Sequence, residues 1–404
     1  MPLNRQANPA ISNGSHSPAA EKAVPLTPPA DKKLFTPGPL GVSLSTKQAM
    51  LRDLGSRDVE FVNTVSFIRQ RLLEVAGVPA STHTCVPVQG SGTFAVEAVI
   101  TTTVPRESGK MLVLVNGAYG QRMATICQAQ GLEHRVLNFE ETQKVQVEEV
   151  ARVLAEDPSF TNVAIVHCET SSGVFNPVEE VGRAVKKLCP EACYLVDAMS
   201  SFGAVPLDLT GGSVDFMVSS ANKCIEGVPG FAYAICRTGR LLSCKGVARS
   251  LSLDLVEQYL GLEKNGQFRF TPPTHAMLAF CQALRELEQE GGVQGRAKRY
   301  QANRKVLREG MASLGFQELL DETHQGYIIT SYRFPDHPAF SFTDFYSQLN
   351  EKGQVIYPGK VTKADCFRVG NIGHLFPEDM QYLLRCIQEV CADMGIPLPL
   401  ITSS

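Results

Sequence analysis

The chain has 404 residues, 44% of them hydrophobic and 20% charged, and 38 Lys and Arg against 41 Asp and Glu leave a net charge of −3. Such numbers fit a globular protein of two or three domains, or one large domain with a smaller one. They argue against nucleic acid as the main partner, because no basic excess exists. No apolar run approaches the length of a membrane span, so no membrane association is expected.

Residues 1–33 read as a disordered tail, rich in Pro, Ala, Ser and Asn. The tail lacks the apolar core of a secretory signal and has few basic residues for a transit peptide. Organelle targeting by it stays open; the expected location is cytoplasmic. The 12 cysteines are scattered without a CxxC pair. The closest spacings, Cys189 with Cys193 and Cys386 with Cys391, match no zinc pattern, so no metal is expected. Cys168, Cys193 and Cys236 sit in apolar runs, where a thiol behaves as a small hydrophobe. This usage points to a reducing compartment.

Residues 34–270 read as a large domain, whose first segment, near 34–60, is open to a return into the smaller one. From Met111 onward short β-rich runs follow one another at 110–116, 162–170, 193–201, 213–220 and 231–237. Helical patterns such as VEEVGRAVKKL, residues 178–188, lie between several of them. Strands that are apolar on both faces and alternate with helices predict an α/β fold with a mostly parallel sheet. Residues 271–404 read as linker helices and a smaller α/β domain. Two amphipathic stretches, beginning at His275 and Val293, precede short strands near 327–334 and 353–360 and a last helix at 377–394.

In such sheets ligands bind at the carboxyl ends of the strands. Ser91, Gly92 and Thr93 stand where a glycine-flanked segment opens a helix. Such a start either cradles a phosphate with its backbone N–H groups or is a plain helix cap. Asp197 ends an apolar run, where it either meets a partner with a proton to share or caps a loop. Glu169, Thr170, Ser171 and Ser172 form a polar cluster, either orienting a ligand's edge or making an ordinary turn. Lys223 lies in the charge-poor stretch SSANKCIEGVPGF. A buried lysine there is a nucleophile with a lowered pKa; a snorkelling one is not. Arg368, flanked by apolar residues, suits either an anion grip or a structural ion pair. Tyr119 fits the core or a stack on a flat ring.

In chain order, VIYPGK and FRVGNIG complete a series that includes QGSGTFAVEAV, VDAMSSFG, SSANKCIEGVPGF, SLSLDLVEQY and RFTPPTHAMLAF. The series resembles the class V aminotransferases from about residue 34 to about residue 393. Within the class it is most similar to the branch that moves the amino group of 2-aminoethylphosphonate to pyruvate.

The resemblance implies fold type I, with a seven-stranded, mostly parallel sheet, and pyridoxal 5′-phosphate as cofactor. By this resemblance, Lys223 would bond the cofactor's aldehyde and move the substrate proton, and Asp197 would pair with the ring nitrogen. Ser91, Gly92 and Thr93 would hold the phosphate, with Asn222 as an additional donor. Thr170 would face the ring hydroxyl and Tyr119 would stack on the ring. Arg368 would bind the substrate anion, and the TPGPL segment with Gly38 would close over the substrate. Thr271 would reach the phosphate of the other subunit in a homodimer with shared sites. The rivals are alanine–glyoxylate or serine–glyoxylate transamination on the same fold, cysteine desulfuration, and a non-enzymatic relative that only binds the cofactor. A desulfurase usually has histidine where this chain has Asn222.

Overall fold

The computed structural model describes residues 31–362 and 364–400. The expected tail lies outside the described residues as far as residue 30. Seven strands make the main sheet: β1 (His83–Gln89), β2 (Lys110–Val115), β3 (Glu133–Asn138), β4 (Asn162–Val166), β5 (Cys193–Asp197), β6 (Phe216–Ser220) and β7 (Phe231–Arg237). Their spatial order is β1-β7-β6-β5-β4-β2-β3. Only β7 runs antiparallel to its neighbours. The mostly parallel seven-stranded sheet implied by the resemblance is therefore present.

The central strands β4, β5 and β6 are buried at every residue, as strands covered on both faces by helices must be. The two edge strands had no clear signal in the sequence, and each has a physical reason. In β1, HTCVPVQ, Pro87 cannot donate to a ladder and is tolerated because only β7 pairs there. In β3, EHRVLN, charged residues blunt an exposed edge. The predicted helix at 178–188 and the strand runs from 110, 193 and 231 fall within a few residues of the elements observed.

A second layer holds three antiparallel strands, β8 (Ile329–Arg333), β9 (Tyr357–Pro358) and β10 (Cys366–Gly370), in the order β8-β10-β9. Its core is aromatic. Phe367 meets Phe316 edge-on with ring centroids 5.9 Å apart and meets Phe345 at 5.5 Å. Phe35 is buried in this same core, and the short strand Lys33–Leu34 pairs in parallel with Gln354–Val355. From Lys32 onward the chain forms one compact unit. The 12 cysteines are all buried and free. Among the described residues no helix is long and apolar enough to cross a membrane, and no cluster of His, Cys, Asp or Glu is placed to hold a metal.

Candidate active site

The parallel sheet brings the loops after β1, β2, β4, β5 and β6 to one edge, and there a cavity of about 200 Å³ opens. Ser91, Gly92, Thr93, Tyr119, Asp197, Asn222 and Lys223 all line it. These residues span more than 130 positions of sequence and are united only by strand order.

One wall is the start of helix α1 (Gly92–Thr103). Its first turn points at the cavity, and Ser91, at the cap position, makes no capping bond with its side chain. Uncommitted N–H groups, the helix dipole and two hydroxyls make an anion site here. Arg122 adds a full positive charge, its Nη1 donating to Thr93 Oγ1 at 3.2 Å.

Asp197 and Lys223 face the cavity from neighbouring parallel strands, β5 and the turn after β6, whose register sets Asp197 beside Val218. Asp197 Oδ1 accepts the Met199 N–H at 2.9 Å. Burial pushes the Asp197 carboxyl up to about 6, partly countered by that hydrogen bond and by Lys223. Burial likewise pulls the Lys223 amine down to about 8, against the opposing pull of Cys224 and Asp197. The Lys223 amine donates to Pro37 O at 2.7 Å. A methyl group at Gly38, where φ is +130°, would lie 2.6 Å from Lys223 Nζ. The TPGPL segment is thus packed on Lys223 itself, and only glycine fits at its tip.

Thr170, Arg368, Gly38 and Thr271 do not line the cavity wall. Arg368, on β10, is buried beside it and gives Nη1 to Thr170 O at 2.6 Å and Nε to Pro358 O at 2.9 Å. Thr271 is exposed on the loop before helix Thr274–Gln289, its carbonyl 3.3 Å from Gln89 Nε2. The polar cluster after β4 is occupied internally. Glu169 takes the N–H groups of Tyr119 and Gly120, at 3.1 and 3.2 Å, and the Ser171 hydroxyl at 2.7 Å. Glu169 therefore caps helix α2 (Ala118–Ala129), the helix that presents Tyr119 to the cavity. Gly117 has to be glycine for this cap, since a Cβ would sit 2.4 Å from the Glu169 carboxyl carbon.

The sequence reading missed Arg122, Met199 and Ser220, which also line the cavity. Arg122 had a usable signal: three residues after Tyr119 on one helix, it shares that face, and its guanidinium lies 4.9 Å from the Tyr119 ring centre. Met199 and Ser220 had none, being ordinary residues placed by neighbouring strands.

A lysine amine, a buried carboxyl and an anion-binding helix start at one sheet edge define an α/β enzyme of the aminotransferase kind. The chain belongs to the class V aminotransferase family, whose model matches residues 43–364. It is 49% identical over 363 residues to the 2-aminoethylphosphonate–pyruvate transaminase of Syntrophobacter fumaroxidans, covering 90% of this chain and 97% of that one. It is 48% identical over 357 residues to the protein of that name from Vibrio cholerae, covering 88% and 96%. Among solved structures it is similar to ureidoglycine–glyoxylate aminotransferase from Bacillus subtilis, with TM-score 0.83, 20% identity and coverage of 92% and 96%. Alanine–glyoxylate aminotransferase from a Nostoc species superposes with TM-score 0.81, at 25% identity and coverage of 91% and 97%.

Proposed function

We propose that this chain transfers the amino group of 2-aminoethylphosphonate to pyruvate, giving phosphonoacetaldehyde and L-alanine, with pyridoxal 5′-phosphate as cofactor. The observation that carries the reading is Lys223 and Asp197 sharing one cavity with the helix start at Ser91. The near-half identity to relatives of that name, over almost their whole length, supports the choice of substrates.

The residues present fit the cofactor. Its phosphate needs an anion cradle, and Ser91, Gly92, Thr93 and Arg122 supply one. Its ring nitrogen needs a carboxylate, which Asp197 provides. Asn222 would add a donor and Tyr119 a flat face, while Thr170, which lies beside the cavity rather than on its wall, would serve the ring hydroxyl only by the resemblance. Bound there, the cofactor supplies an electron sink for the pair left when the amine-bearing carbon gives up a proton.

The chain's own groups do the rest. Lys223 Nζ would be the group that anchors the cofactor, and its amine would take and return the proton of the amine-bearing carbon. With its pKa near 8 rather than 10.5, about a fifth of the amine is neutral near pH 7.4, against roughly one part in a thousand for an ordinary lysine. The positive charges of Arg368 and Arg122 hold the substrate and cofactor anions. Gly38 keeps the TPGPL segment packed against Lys223.

The same reading includes a homodimer. Phe94, next to the cavity residue Thr93, and Phe270, whose carbonyl meets Gln89, are 52% and 44% exposed. The contacts of Gln89 with the 270–271 backbone and of Asp53 with His275 hold these segments side by side. A second copy covering this apolar face brings Thr271 to the other copy's phosphate.

The test is a half-reaction on the holoenzyme without any keto acid. Addition of 2-aminoethylphosphonate bleaches the visible band of the bound cofactor, and so does L-alanine, the product amine run backwards, whereas L-serine at equal concentration acts much more slowly. A band that responds to serine or alanine and not to the phosphonate overturns the substrate and leaves the chemistry of Lys223 standing. The variant Lys223→Ala loses turnover by about a thousandfold or more, since anchor and acid–base group go together. Turnover near that of the parent sinks the role given to Lys223.

A further inference from the structure

Three cations converge on Tyr119 at the cavity edge. Lys360 Nζ lies 4.6 Å from the Tyr119 ring centre and the Arg122 guanidinium carbon 4.9 Å from it, while Arg368 lies within electrostatic reach of the Tyr119 side chain. Lys360 is partly buried, and its amine is held below the ordinary lysine range by burial and by the charges of Arg122 and Arg368. Among the described residues none of the three forms an ion pair. The carboxylate that faces Lys360, Glu169, already accepts the N–H groups and hydroxyl described above. Like charges so arranged repel one another, and an anion between them removes that cost.

The donor geometry says which anion. A guanidinium has five N–H donors. Arg368 gives Nε to Pro358 O and one Nη1 hydrogen to Thr170 O. The other Nη1 hydrogen and Nη2 remain, enough for the two oxygens of a flat carboxylate. A phosphonate has a third oxygen, out of that plane, and a second negative charge. Arg122 is engaged at Thr93 Oγ1, on the phosphate side of the cavity. Lys360 is the cation left.

Its loop is built to hold it. Gly359 N donates to Cys366 O at 3.0 Å on β10, beside Arg368. Two residues beyond Lys360, Thr362 ties the loop to the main-sheet layer, its N and Oγ1 both donating to Glu141 Oε2 at 2.8 and 2.9 Å.

We propose that Lys360 is the residue that selects a phosphonate dianion over a carboxylate, by pairing with the phosphonate oxygen that Arg368 does not reach. The inference rests on the phosphonate reading above and deepens it. It is tested on the holoenzyme with Lys360→Met and Lys360→Arg. Calorimetry compares two unreactive ligands of equal length, 2-hydroxyethylphosphonate and 3-hydroxypropanoate. The Met variant loses about tenfold or more in affinity for the phosphonate, one lost charge-assisted contact, and under threefold for the carboxylate. In turnover its kcat/KM for 2-aminoethylphosphonate falls through KM, while kcat/KM for pyruvate, cofactor absorbance and Tm hold. The Arg variant restores most of the phosphonate affinity. Equal losses for both ligands, or no loss for either, overturn the inference with the phosphonate reaction intact. A parent enzyme that does not use the phosphonate at all overturns the reading beneath it, and this inference with it.

Discussion

Asp197 sits in a position that is unfavourable until a cation arrives. Its pKa is raised to about 6 by burial, so at neutral pH the cofactor-free protein holds an ionised carboxylate in a poorly solvating site. In the unfolded chain the same group titrates near 3.9. Between those values the folded state binds the extra proton, so the contribution of Asp197 to stability is most favourable below about 4 and falls as pH rises to about 6. Above that the cost is fully present, on the order of 3 kcal/mol. The variant Asp197→Asn removes the charge and keeps an oxygen for the Met199 N–H. Cofactor-free Asp197→Asn should melt several degrees above cofactor-free parent at pH 8, with the gap closing near pH 4. It should also release cofactor more readily, because a neutral amide does not pair with a ring cation. Melting curves at the two pH values check the first claim and equilibrium dialysis the second; an unchanged gap across pH would show that Asp197 is not the strained charge. The sequence could mark Asp197 and Lys223 as unusual, since each closes an apolar run. It could not say that the two meet, which depends on β5 and β6 being neighbours.

At the scale of elements, the segment after Lys223 is held by helix Gly292–Ser313, within the amphipathic stretch expected from Val293 onward. GRAKRYQANRK is dense in charge. The fold nevertheless buries Arg296, Tyr300 and Asn303. Arg296 contacts Cys224 O and reaches Glu226 at 3.1 Å; Arg299 reaches Glu226 at 2.7 Å and Glu290 at 2.7 Å. Tyr300 donates to Glu226 at 2.6 Å, and Arg299 also donates to Gly373 O and Leu375 O in the C-terminal layer. Glu226 itself holds φ at +64°, a conformation rare for a side-chain residue. Paired charges cannot be told from solvated ones by composition, which is why this brace was illegible while the apolar central strands were plain. Replacing Glu226 by Gln leaves the buried Arg296 and the part-buried Arg299 facing one remaining carboxylate, Glu290. The expected cost is about 3 kcal/mol or more. Because the brace ends on Cys224, cofactor retention should fall along with Tm. A Tm within a degree of the parent would mean that the pairs contribute little.

For the whole molecule, the sheet layer was readable from periodicity, but the way two copies combine was not. No pattern within one chain encodes a surface shared with another. The resemblance to class V enzymes provided that expectation, and the exposed Phe94 and Phe270 beside the cavity loops fit it. The arrangement has a consequence that separates it from a monomeric site. Suppose Thr271 of each copy serves the other copy's cavity. In a hybrid of Lys223→Ala with Thr271→Ala, the cavity of the Thr271→Ala chain then has its own lysine and receives an intact threonine. The opposite cavity lacks both. Random reassortment of equal amounts makes about half the dimers hybrid, each with one intact cavity of two. Mixing two nearly inactive variants under conditions that exchange subunits should therefore restore about a quarter of the parent turnover. If Thr271 serves its own chain's cavity, no hybrid contains an intact site, and the mixture stays at the mean of the two variants. Size-exclusion chromatography with light scattering on the parent complements this test. A monomer at micromolar concentration would remove the shared site altogether and leave Thr271 as an exposed loop residue.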